Sequence, residues 1–527
     1  MRRLAVDYAY DFDGLAPFFA GHPSSAAAWQ QVIARTQAHA RDRARLSSVL
    51  AAQQTRRGAP EAARAAAAQL ADTKTVAILT GQQAGLFGGP LFTLLKALTA
   101  LKLADRVARD HGVPCVAVFW IDAEDHDWDE VRTCTILDQA LEPQTVSLPA
   151  RTDGQPAPVA TVSLDATAEA AVQALEGLLP ETDFRPELLA QLRQAYAPGA
   201  RMADAFGAWL EQLLGGRGLV VYDASDPAAK PLAAPVFAHE LRHPGETLRR
   251  AAQTGLDLVA RGYHAQVHAQ PDACALFHIA PGRRGIRLHE GDLLVGEDRH
   301  AADALRREAA EHPDHFSPNV LLRPIVQDTI FPTVGYVAGP SELAYLGQLR
   351  GVYEHFGVPM PLVYPRTTAT LLDSGGMRFL GKYGVALEQL QPQDEAALNE
   401  LLRTQIPERV DLAFTDAARA IESHIGAIVE AIPVIDPTLE QTARSTLGRM
   451  QHDLQTLHGK MISAAKKRNE TLRRQFTRTR ALAFPAGHPQ ERTVGFVSFL
   501  NQYGPSLVDR LDAQLPLDLG RHWILTV

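Results

Sequence analysis

The strongest pattern along the chain is an apolar run, TVAIL at residues 75–79, that breaks into TGQQAGLFGGP and resumes as LFTLLKALTALKLA. After the break, Leu91, Leu94, Leu95, Leu98, Leu101 and Ala104 recur at three- and four-residue intervals, which predicts a helix. Gly112 ends that helix and Pro114 opens the next segment. A second continuous apolar run, PCVAVFWI, follows and ends in DAEDHDWDE. Strand, glycine turn, helix and strand make a βαβ unit, and strands apolar on both faces predict a parallel sheet covered on both sides. GLVVYDASD at 218–226 reads as another such strand ending in acids. The same core resumes in SPNVLLRPIVQDTIFPTVGYVAGPSELAYLGQL and MPLVYPRTTATLL, reaching about Gly384.

Other segments follow different patterns. Residues 24–71, rich in Ala, Arg and Gln, predict surface-packed helices. Residues near 141–198 carry Pro-, Gly- and Thr-containing turns and predict an insertion. A second insertion near 238–311 holds short strand-like pieces (HAQVHA, ACALFHIA, GIRLHEGDLLVGE), which predict a small antiparallel unit. From Asp436 onward, Ala443, Leu447, Met450, Leu454, Leu457, Met461 and Ala464 step by four and three, the seam of a coiled coil. Its partner helix is expected between Glu395 and Ile432, with Pro433 and Pro437 at the hairpin. The expected organisation is α/β: a Rossmann-like parallel-sheet core over 1–384 with two insertions, a helical coiled-coil arm over 385–494, and a tail over 495–527 that returns to the core.

Composition narrows the class. The chain has 527 residues, 46% hydrophobic and 21% charged, with a net charge of -8. Two or more domains are expected at this length, and the net acidity argues against nucleic acid as a partner. No apolar run is long enough to span a bilayer and the N-terminus has no signal-peptide core, so a cytoplasmic protein with no membrane association is expected. Three cysteines without paired spacing, Cys115, Cys134 and Cys274, predict neither disulfides nor a zinc knot. Among the nineteen histidines no zinc-site spacing is read, so no metal centre is expected.

In a parallel sheet, ligands bind beyond the carboxyl ends of the strands. Thr80, Gly81, Gln82, Gln83 and Gly85 occupy that place, where glycine backbone and a following helix N-terminus favour an anion; the alternative is a tight turn with self-satisfied glutamines. DAEDHDWDE holds six acids and a histidine, from which Glu124, Asp125, His126 and Asp127 are the candidates to hold an ammonium, deprotonate it or position Mg²⁺. The alternative there is a solvated, helix-capping loop. Asn319, Arg323, Ser341, Glu342 and Tyr345 form a further group, in which GPSEL starts a helix and Arg323 can pair a carboxylate or phosphate. Arg366, after the strand that ends in Tyr364-Pro365, is a weaker candidate. KKRNETLRRQFTRTR at 466–480, seven basic residues against one acid, is read as the solvated face of a long helix rather than an RNA or nucleotide contact.

TGQQAGLFGGPLFTLLKALTALKLA, FWIDAEDHDWDE, SPNVLLRPIVQDTIFPTVGYVAGPSELAYL and QERTVGFVSFLNQYGPSLVDRL together resemble the BshC family, the cysteine-adding enzymes of bacillithiol biosynthesis. The resemblance spans essentially the whole chain. It implies a Rossmann-like core with two connecting-peptide insertions and a coiled-coil arm that makes a homodimer. It also implies a carbon–nitrogen ligase that joins cysteine to glucosaminyl-malate with ATP; the expected cofactors are ATP/ADP and, at the acidic loop, Mg²⁺. A synthetase-type HIGH signature is absent, and TGQQAG occupies its place. A different class of function, a nucleotide-binding dimeric scaffold without turnover, is the alternative.

Overall fold

The structure is a computed structural model and describes residues 2–151, 158–267, 272–280, 282–404 and 408–527. Contacts divide the chain into two compact units, one of residues 1–370 with 491–525, the other of residues 371–490.

The first unit is organised by a five-stranded parallel sheet: β1 (Val76–Gln83), β2 (Cys115–Asp122), β3 (Val220–Asp223), β4 (Thr333–Ala338) and β5 (Leu362–Pro365). Their spatial order is β5-β4-β1-β2-β3. Continuous apolar sequence is the reason these strands sit centrally, since both faces are covered. Neighbouring residues on β2 show it: Trp120 packs against Tyr222 on one face, with ring centroids 5.0 Å apart, and Phe119 meets Phe206 on the other at 5.9 Å. β1 pairs with β2 from Val76↔Cys115 to Gln83↔Asp122 and with β4 on its other side, Leu79 facing Tyr336. The chain therefore leaves β1 in one direction to reach β2 and β3, and in the other to reach β4 and β5. That reversal opens a crevice beyond the carboxyl ends of β1 and β4.

Five helices matter to that crevice: α1 (Leu91–His111), α2 (Lys230–Arg242), α3 (Arg323–Ile330), α4 (Pro340–Leu346) and α5 (Arg350–Phe356). α1 follows the glycine turn and ends at Gly112, whose left-handed backbone (φ +65) returns its N–H to the Ala108 carbonyl.

The insertions differ from the sequence reading. The region near 141–198 is largely helical among its described residues, with helices at Ala166–Leu178 and Arg185–Ala195. The second insertion opens with helix rather than strand: Glu246–Ala260 buries Leu248, Ala251 and Leu258 at helical spacing. His264–Val267 of HAQVHA form no strand, and the rest of that piece lies outside the described residues. The antiparallel sheet runs Phe316–Pro318, Ala273–His278, Arg284–His289, Asp292–Val295, Asp298–His300 in spatial order.

The second unit contains the hairpin of α6 (Glu408–Ala431) and α7 (Glu440–Arg468), joined by short 3₁₀ turns at Ile432–Val434 and Pro437–Leu439. No described helix is long and apolar enough to cross a membrane.

Candidate active site

A cavity of about 330 Å³ opens at the crevice beyond β1, β2 and β4. β1 contributes Gly81, Gln82 and Gln83; β2 contributes Trp120 and Asp122; Arg323 comes from α3, Tyr336 from β4, and Ser341, Glu342 and Tyr345 from α4. One side is cationic. Lys96, buried on α1, donates to the Gly81 carbonyl at 2.8 Å and to Gln82 Oε1 at 3.2 Å, and its Nζ lies 2.5 Å from Glu342 Oε2. Burial lowers the Lys96 ammonium pKa, and Glu342 opposes that shift. Burial works against ionising Glu342, but the Lys96 ammonium, the Gly339 N–H and the Tyr336 hydroxyl outweigh it and hold the carboxyl below its usual range. Arg323 donates to Tyr345 Oη at 2.8 Å and Gln327 Oε1 at 3.1 Å.

The other side is acidic. Burial raises the Asp122 carboxyl despite Arg323, whose Nε lies 3.9 Å from it. Asp125 accepts from Gln83 Nε2 at 2.7 Å and from the His126 N–H at 2.7 Å. Glu130, exposed at the cavity mouth, has its carboxyl raised by partial desolvation and by Asp127, with Gln83 opposing. Cations facing carboxylates across one cavity suit a ligand that carries both charges, such as a free amino acid.

A second cavity of about 330 Å³ adjoins the first and shares Gln82, Gln83, Phe92, Glu130 and Arg492 with it. Beyond those residues it is lined by Gly85, Gly89, Thr93, Cys134 and Thr135. Thr93 is fully buried and its hydroxyl has no hydrogen-bond partner among the described residues, a polar group open to a ligand. Burial pushes the Cys134 thiol up to about 12, so it is no nucleophile.

Residues 1–367 match the family model described as the N-terminal Rossmann-like domain of bacillithiol biosynthesis BshC, and residues 369–527 match that family's C-terminal coiled-coil domain. The chain belongs to the BshC family. A relative from Salinibacter ruber, named "Putative cysteine ligase BshC", is 34% identical over 99% of this chain and 96% of its own length. Proteins of the same name from Symbiobacterium thermophilum (34%, 92% of this chain, 89% of theirs) and Chlorobaculum tepidum (32%, 84% and 81%) are similarly related.

Within this BshC chain the crevice gathers Gly81, Gln82, Gln83, Asp125, Arg323, Ser341, Glu342, Tyr345 and Arg366 around one cavity. Other expected site residues have different tasks. Thr80 is buried and its hydroxyl donates to the Val337 carbonyl at 3.0 Å, tying β1 to β4. Gly85 lines the second cavity. Glu124 turns inward to a buried ion pair with Lys230, which also donates to the Phe316 carbonyl. Asp127 caps the short helix Trp128–Val131 by accepting from the Glu130 N–H, and His126 is exposed between Asp125 and Arg283. Asn319 accepts from the Leu321 and Leu322 N–H groups ahead of α3. Arg366 lines the cavity but forks onto Glu491 at 2.8 and 2.6 Å, which leaves it a weaker anion receptor than its position suggests.

The glycines also serve a purpose other than the expected one. A Cβ on Gly81 would meet the Trp120 carbonyl at 2.7 Å, and one on Gly88 the Phe496 ring at 2.1 Å. Both clear room for the protein itself. The N-terminus of α1 likewise gives its Leu91 N–H to the Val494 carbonyl. Lys96, Glu130 and Arg492 were not among the residues expected from sequence. A lysine on the apolar stripe of a helix, directly after a glycine turn, was the available signal for Lys96.

Proposed function

We propose that this chain is an ATP-dependent ligase that forms the amide between the cysteine carboxyl and the amine of glucosaminyl-malate. The observation that carries this is the pair of adjoining cavities whose shared wall holds Gln82, Gln83 and Glu130. A two-substrate condensation needs such an arrangement, with both reactants held side by side. The cation-and-carboxylate cavity takes cysteine: Asp122 and Asp125 hold its ammonium, and Lys96 with Arg323 faces its carboxyl and the phosphate that activates it. The names of the relatives supply cysteine as the substrate class. Thr93 and the neighbouring backbone receive the hydroxyl- and carboxylate-bearing acceptor in the second cavity.

A carboxylate does not form an amide with an ammonium at neutral pH without a leaving group. ATP supplies it: the cysteine carboxylate oxygen displaces part of the triphosphate, and the acceptor nitrogen then displaces the phosphoryl or adenylyl group. The acceptor must first lose a proton, and Glu130 at the shared wall takes it. Mg²⁺ would accompany ATP, held chiefly by its phosphates, where the ion would offset phosphate charge. The helical arm exposes apolar residues, Leu412, Ile428, Met450 and Leu457 among them, suited to a second copy of the chain, and a homodimer is part of the proposal.

The test is mass spectrometry of the purified chain with cysteine, glucosaminyl-malate, ATP and Mg²⁺. Cysteinyl-glucosaminyl-malate formed together with AMP or ADP supports the ligase. A folded protein that binds nucleotide yet makes no amide over repeated preparations overturns it in favour of a scaffold.

A further inference from the structure

We infer that His239, His243 and His355 form a binding site for a zinc-type divalent transition metal, clipping α2 to α5. Residues 239–243 read HELRH, an HExxH spacing that corrects the expectation of no zinc-site spacing: His239 lies in the last turn of α2 and His243 is the residue that ends it. α5 brings the third histidine from more than a hundred residues away, and one ring nitrogen of each of the three lies within 4.8 Å of one from the others. His239 Nε2 and His355 Nε2 are 3.2 Å apart. Two nitrogens each about 2.0–2.1 Å from one tetrahedral zinc stand about 3.3 Å apart, so the observed spacing matches joint ligation. His243 Nδ1 lies 3.1 Å from the His239 carbonyl. A carbonyl only accepts, so Nδ1 carries the proton and Nε2 is left with its lone pair for a metal.

The nearby charges do not forbid a cation. Arg250 and Arg249, which face His355, are both paired with Glu246, at 2.6 and 2.7 Å, and Arg242 beside His239 is a further cation that a bound metal must tolerate. Two further clusters among the described residues are less suitable. In His278–Glu308–His315 both imidazoles already bond Glu308 Oε1, at 3.0 and 2.8 Å, and His312–Asp314–His315 draws on the same His315.

The chemistry of the site follows from Glu240. In an HExxH metallohydrolase the glutamate activates water beside the metal. Here Glu240 is fully buried and accepts from the Thr247 hydroxyl at 2.5 Å and the Ala275 N–H at 2.7 Å. The site has three neutral ligands and no base, which suits a structural clip with solvent in the fourth position. The clipped helices both carry residues that support the crevice: α2 holds Lys230, the partner of Glu124, and Tyr353 of α5 bonds Asp328 at 2.5 Å next to Gln327. The inference stands independently of the ligase proposal, because its readout is metal binding.

The experiment uses the full-length chain with any affinity tag removed, stripped by chelator and titrated with Zn²⁺ and with Co²⁺ as a spectroscopic probe. One metal per chain is expected, with the visible absorption of tetrahedral cobalt. His243→Gln and His355→Gln are each expected to weaken binding at least about a hundredfold, in line with losses seen when ligand support is removed, while His315→Gln leaves it unchanged. His243 is exposed, so its variant keeps the fold, which metal-free melting checks. Zinc affinity equal in wild type and in the His243→Gln and His355→Gln variants overturns the inference, as does loss of binding only in His315→Gln.

Discussion

Glu342 holds Lys96 in place while lining the cavity, so substituting it tests packing and electrostatics together. Glu342→Gln leaves a buried ammonium without its anion, and about 3 kcal/mol of stability is expected to be lost at neutral pH, the lower end for breaking a buried pair because Glu342 is 20% exposed. The folded carboxyl sits below its ordinary value. Its contribution is therefore present above the unfolded value of about 4.3 and disappears as pH falls through the depressed folded value. The stability difference between wild type and Glu342→Gln should be widest near pH 6 and shrink toward pH 3. Urea unfolding followed by tryptophan fluorescence measures it, since all five tryptophans lie in the first unit. A difference that stays constant across that range would contradict the pairing. Glu130 has the opposite sign: partial desolvation and Asp127 raise it, so the base becomes available at a higher pH than an ordinary glutamate would. Glu130→Gln should lower kcat for amide formation by about 10²–10⁴ with little change in KM, and should remove the acid limb of the wild-type pH–rate profile. An unchanged limb in the variant assigns that proton to another group.

The turn between β1 and α1 lines the cavities as expected and also serves packing, which its sequence does not announce. Gly88 has φ +94, and its missing Cβ leaves space for the Phe496 ring. Its N–H donates to Tyr196 Oη at 3.1 Å. Gly88→Ala is expected to cost about 3 kcal/mol from left-handed strain and overpacking combined. Adding Phe496→Leu should restore only the part due to the clash, and thermal melts of wild type and the two variants separate the two. Equal melting of Gly88→Ala and wild type would show that the turn has another conformation. The strands were legible because continuous apolar runs encode burial on both faces, and α1 because its leucines keep a helical period. The acidic loop was legible only as a group. Its six acids look equivalent in sequence, but the backbone sends Asp122, Asp125 and Glu130 to the cavity, Glu124 to Lys230, and Asp127 to a cap. Which way each turns depends on partners such as Lys230, more than a hundred residues away. Glu491, which occupies Arg366, was hidden for the same reason.

At the scale of the whole molecule, the α6–α7 hairpin leaves half of its heptad seam uncovered. Leu447, Leu454 and Met461 are half-buried, whereas Met450 and Leu457, seven residues apart on one line of α7, are 39% and 52% exposed. No described side chain from Arg409 to Thr471 is fully buried, so two helices do not complete a core by themselves. Leu412 and Ile428 of α6 and Leu439 at the hairpin are exposed as well. A stretch this apolar in water favours a further helix pair, and a second copy of the same hairpin offers matching period and length. Met450→Glu with Leu457→Glu places two charges on the open line while touching no buried contact within the chain. Sedimentation equilibrium should give a dimer for wild type and a monomer for the double variant, with the first unit's melting unchanged. A wild type that sediments as a monomer, or a double variant that stays dimeric, would remove this face from the interface.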